Sequence, residues 1–181
     1  MFGWAAKWKR KPPDRLTRLA NAIEAIDERD RRLIDETARV DHWRAQGAVE
    51  MHDICRAFVD SVNARLKKPA ILLDPAVFAA DHYSDGGPNL FQINLRGRLL
   101  QVEFGAVDDL YGTEDFRRPY VLQGSIRSFN QDLLSHHVVD EQTIFYCPEG
   151  DRAHWYFFDA RTYRAGRITE DYLVAEMERL L

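Results

Sequence analysis

Residues 90–104 read LFQINLRGRLLQVEF, and the alternation in that stretch decides the fold. Folding it about Arg96-Gly97 sets Leu95 opposite Arg98, Ile93 opposite Leu100 and Phe91 opposite Val102. Phe91, Ile93, Leu95, Leu100 and Val102 then share one face. Gln92, Asn94, Gln101 and Glu103 share the other, with Leu90 and Leu99 as exceptions. A slip of one residue would mix the two sets, so turn and pattern select the same register. A hairpin with one apolar face needs apolar cover.

Toward the C-terminus, residues 105–119 (GAVDDLYGTEDFRRP) form an acidic connection. Residues 120–129 predict a third strand, with a bulge at Gly124, and residues 130–135 a short helical turn. Residues 143–147 and 153–158 predict two more strands, joined by Pro148-Glu149-Gly150-Asp151-Arg152. The run HWYFF in the second of them is apolar on both faces, which suits a central strand or one with a face against a partner. Thr169 caps a last helix whose first turn carries Glu170 and Asp171.

Toward the N-terminus, Ser84-Asp85-Gly86-Gly87-Pro88 marks a turn. Asp74-Pro75 predicts a small helix, with Asp74 as its cap and Pro75 in its first turn. From Asp14 the spacing is helical for about fifty residues. Steps of three and four from Leu16 visit Leu19, Ile23, Ile26, Asp30, Leu33, Thr37 and Val40, an apolar stripe narrowed by charge on either side. Gly47 is the expected break. Before it, residues 14–45 would extend roughly 48 Å at 1.5 Å per residue. A body of the remaining ~110 residues has a radius of gyration near 13 Å, so such a helix either bends back as a helical hairpin or pairs with another chain, and pairing is the expectation.

The expected fold class is α+β: a long N-terminal helix broken near Gly47, then an antiparallel sheet of about five strands covered by helices. Residues 1–46 form a basic arm and protruding helix, residues 47–181 an α+β sandwich. After Gly47 the order is helix, short helix, three strands, short helix, two strands, helix. In element order it is similar to the helix–three strands–helix–two strands–helix arrangement of type III secretion chaperones.

Composition narrows the class. The chain of 181 residues is 45% hydrophobic and 30% charged, enough for a packed core with solvated helices. No apolar run reaches membrane-spanning length, and the N-terminus lacks the apolar core of a signal peptide. Cys55 and Cys147 stand apart with no ligand spacing, which suits buried thiols and a cytoplasmic setting. The net charge of −4 divides unevenly, because all five lysines lie in the first 68 residues. Residues 1–11 hold Trp4 and Trp8 one helical turn apart among basic residues, a pattern a membrane surface or nucleic acid could also use.

Few residues suggest chemistry. His136-His137 with Asp140 and Glu141 is the densest group of candidate ligands or acid–base residues. Adjacent histidines point to different sides of a helix or strand, so a metal would need another ligand, such as His82 or His154. Cys147 and His154 lie opposite each other in some registers of the last hairpin, where a nucleophile pair would need a third, orienting group. Asp108-Asp109 and Glu114-Asp115 lack the ligand alternation of a calcium loop. Gly86-Gly87-Pro88 precedes a strand instead of following one, so it is not a phosphate loop. Arg152, Arg161, Arg164 and Arg167 could hold an anion or neutralise the acidic body.

These observations predict a non-enzymatic binding or interaction module without a cofactor. It would form a homodimer, or join a protein partner, through Leu16, Leu19, Ile23, Ile26, Leu33 and Val40, with Trp4 and Trp8 in support. The alternative is a small metal- or histidine-dependent hydrolase-like enzyme with a cleft at the sheet, using His136, His137 or His154.

Overall fold

A computed structural model describes residues 14–108, 116–130 and 140–181, apart from the side chains of residues 33 and 130. It has two compact units, one through Arg39 and one from Val40 to Leu181. Helix α1 (Arg15–Asn63) runs through both stretches of sequence. Seven antiparallel strands follow: β1 (Ile71–Asp74), β2 (Asn89–Leu95), β3 (Arg98–Ala106), β4 (Leu122–Asn130), β5 (Asp140–Glu149), β6 (Arg152–Asp159) and β7 (Arg164–Arg167). They lie side by side in chain order, each paired with its sequence neighbour. Helix α2 (Glu170–Glu178) closes the chain. The class is therefore α+β with a long N-terminal helix and an antiparallel sheet.

Asp14 starts α1 by accepting a hydrogen bond from the Thr17 amide at 2.8 Å, which holds its carboxyl below the usual range. Asn63 fastens the other end. Its amide nitrogen donates to Ile71 O at 2.8 Å, and its Oδ1 accepts from the Ala70 and Ile71 amides. One side chain thereby joins the end of the helix to the first strand.

The β2–β3 hairpin has the expected register, Leu95 with Arg98 through Phe91 with Val102. Arg96 and Gly97 take φ of 51° and 89°, the left-handed pair of a type I′ turn. Asn94 Oδ1 accepts from the Gly97 amide at 3.1 Å. Phe91, Ile93, Leu100 and Val102 are buried, with Leu122, Ile126, Ile144, Tyr146 and Trp155 on the same core. Ala48, Met51, Cys55, Phe58 and Val59 of α1 cover it, together with Leu173 and Met177 of α2. Thr169 caps α2 as expected, its Oγ1 accepting from the Tyr172 amide.

The structure corrects several expectations. Among the described residues there are seven strands, not about five. β1 and β7 are the two edges, four residues each, and pairing to one neighbour makes them strands without a telling pattern. Four strands precede residues 131–139 and three follow, unlike the three-plus-two order of type III secretion chaperones. The helix is not broken at Gly47. A Cβ there would lie 2.6 Å from Tyr146 Cδ1 and 2.9 Å from Leu122 Cδ1, so the glycine admits the sheet to the helix surface. The expected helix after Asp74-Pro75 shrinks to one 3₁₀ turn, Ala80–His82. Gly124 forms no bulge, since its register with Phe104 and Ile144 is continuous. A Cβ there would meet Glu103 O at 2.0 Å. The helical turn expected over 130–135 lies outside the described residues, apart from Asn130 in β4.

Among the described residues, helices cover one face only. On the other, Phe145 and Cys147 of β5 and Tyr156 and Phe158 of β6 pack against Phe116 and Tyr120. The Phe116 and Phe145 rings stack at 4.2 Å with 10° between planes. The apolar run of β6 is thus buried on both sides within one chain.

Candidate functional site

In the first unit, α1 carries Leu16, Leu19, Ile23 and Ile26 on one stripe, with 57–78% of each exposed. Ile34 is exposed to a similar degree. Leu33 lies in the helix, but its side chain is outside those described. Asp27–Arg31 and Glu28–Arg32 pair one turn apart at 3.2 and 2.8 Å. These pairs flank the Leu16–Leu19–Ile23–Ile26 stripe. Val40 differs from the rest of the predicted set, since it packs against the core of the second unit. Trp4 and Trp8 lie outside the described residues.

Of the residues weighed for chemistry, His136 and His137 lie outside the described residues. His154 does pair with Cys147 across β5 and β6. Its Nδ1 lies 4.0 Å from Glu50 Oε1 on α1, a charge contact too long for a hydrogen bond. Burial pushes the Cys147 and Cys55 thiols up to about 12, so both are protonated at neutral pH and poor nucleophiles. Iodoacetamide should leave both untouched in the native protein at about pH 8 and modify them once denaturant is added. Native alkylation of Cys147 at the rate of a free thiol would revive the nucleophile reading.

Sequence reasoning missed Glu50. Its carboxylate accepts from Tyr146 Oη at 2.9 Å, across 96 residues of chain. Burial raises the Glu50 carboxyl above its ordinary 4.5, against the pull of Tyr146, His154 and Arg167. The folded protein keeps this proton where the unfolded chain has lost it. This contribution to stability is therefore complete below 4.5 and is lost as pH rises through the folded value. Glu50→Gln still accepts from Tyr146 and cannot ionise. Its stability relative to the parent should grow as pH rises through that window and level off above it. Parallel melting curves at about pH 4 and about pH 8 would refute this.

Several other charged groups pair within the fold. Glu149 accepts from Arg118 at 2.6 Å and Tyr156 Oη at 2.7 Å, which holds its carboxyl low, the Tyr156 bond first. Of the arginine group, Arg167 lies 3.7 Å from Glu149 and Arg161 4.0 Å from Asp140. Buried Glu176 accepts from Gln142 at 3.2 Å and Arg179 at 2.9 Å, tying α2 to β5. Among the described residues no three His, Cys, Asp or Glu side chains converge to hold a metal ion. No described helix is long and apolar enough to cross a membrane. Compared with protein-family models, curated proteins and solved structures, the chain matches none.

Proposed function

We propose that this protein is an interaction module whose first unit pairs with a second copy through the Leu16–Leu19–Ile23–Ile26 stripe of α1. The exposure of those four side chains at three-and-four spacing carries the reading. A helix with no apolar cover is marginal in water, and burying such a stripe is what normally stabilises it. Each side chain contributes about 1.5–3 kcal/mol on burial.

The spacing suits a short two-stranded seam, and Asp30 at the next inward position keeps it from continuing as a long regular coiled coil. Two separate buried thiols suit a reducing, cytoplasmic setting. Light scattering over a dilution series tests the proposal. Two chains per particle at micromolar concentration are expected, and a single chain at every concentration would end it. A protein partner on the same stripe would appear as a monomer that Ile26→Asp prevents from joining that partner.

A further inference from the structure

Within the second unit, a cavity of about 510 Å³ opens between the end of α1, β1, the β2–β3 turn and α2. Its volume lies in the range of small-molecule sites, about 300–1,000 Å³. Phe58, Val62, Leu95 and Met177 form apolar walls, and Arg96 and Arg98 stand beside them. Arg98 Nε donates to Leu180 O at 2.9 Å, an uncharged acceptor, and among the described residues Arg98 forms no ion pair. Among the described residues Arg96 has no ion-pair partner. Glu178 also lines the cavity, without pairing to either arginine within 4.0 Å. Apolar walls with two arginines among the lining residues suit a molecule with a hydrocarbon tail and an anionic head. A guanidinium fork matches a carboxylate in particular.

We infer that this cavity binds a single-chain carboxylate amphiphile, with its tail against Phe58, Val62 and Met177 and its head at Arg96 and Arg98. The basic segment of residues 1–11 is a poor competitor, since its four cations would meet the same two arginines. The second copy proposed above involves the other unit, so the two readings stand or fall apart.

Isothermal titration of the full chain with octanoate, decanoate and dodecanoate, below their micelle concentrations, tests this. One site per chain is expected, with affinity rising about fourfold per added methylene. Dodecyltrimethylammonium should not displace dodecanoate. Arg96→Asn creates Asn-Gly, the preferred pair for a type I′ turn, so the hairpin is kept while a charge is lost. It should weaken dodecanoate binding about tenfold or more. Leu66→Asp, at a wall position that is 42% exposed, puts an anion in the tail's path with little risk to folding and should weaken it similarly. Absence of binding would overturn the inference, as would equal affinity for the cationic amphiphile or an Arg96→Asn variant that binds unchanged. Binding that appears only after residues 1–13 are removed would also overturn it, by identifying that segment as the occupant.

Discussion

Ile26→Asp should reduce the assembly to single chains and leave the sheet intact. Ile26 is 60% exposed within its own chain, so the substitution removes almost nothing from the fold. In a paired seam it removes two buried side chains at once. At about 1.5–3 kcal/mol each, the dissociation constant should rise on the order of 10²–10⁴-fold. The aspartate adds a further penalty, because the seam would bury it beside its symmetry mate. Light scattering at the parent's dimeric concentration should report one chain. Thermal unfolding of the sheet, followed by aromatic circular dichroism, should stay within about 0.5 kcal/mol of the parent. Helical signal should fall, because the residues up to Arg39 lose the cover that stabilises an isolated helix. A parent and variant with the same mass would remove the basis for self-association.

Trp155→Ala should be the most destabilising single change in the second unit. The indole is 1% exposed, and its Nε1–H donates to Gly47 O at 2.8 Å. Its ring meets Phe104 at 5.1 Å and Tyr146 at 5.2 Å between centroids. Truncation leaves a cavity between α1 and the sheet and should cost about 3–5 kcal/mol. That is a large fraction of the 5–15 kcal/mol typical of a domain. Trp155→Phe keeps a ring and loses the hydrogen bond, so its cost should fall well below that of alanine. Urea unfolding with unchanged slope would measure both. A cost under about 1 kcal/mol for alanine would show that the helix does not rest on this ring.

Much of the architecture was legible in local pattern. Alternation over residues 91–102, broken only at Leu99, determined the hairpin, its turn and its buried face, since a period of two admits one register. The three-and-four spacing from Leu16 to Ile26 likewise determined the helix and its apolar stripe. Thr169 followed by two acids announced α2. The four-residue edge strands were not legible, because one ladder of backbone bonds suffices to form them and makes little demand on side chains. Gly47 misled for a related reason. A glycine in a helix reads as a break worth about 1 kcal/mol, while the aromatic ring that requires it lies 99 residues away, at Tyr146.

The chemistry-bearing groups divide in the same way. Spacing could place Cys147 opposite His154, but burial, which keeps the thiol protonated, belongs to the packed state. Glu50, Tyr146 and His154 sit on three different elements, and no local signal joins them. What the amino-acid order determined alone is every feature with a short period: strand faces, the helix stripe, the caps and the hairpin turn. Tertiary structure decided what those faces meet. α1 reaches the sheet at Gly47, Phe116 and Tyr120 cover the far side of β5 and β6, and two arginines of a turn stand beside an apolar cavity. Periodicity is encoded in neighbouring residues, whereas contact between distant ones depends on how whole surfaces fit, and no short window of sequence holds that information.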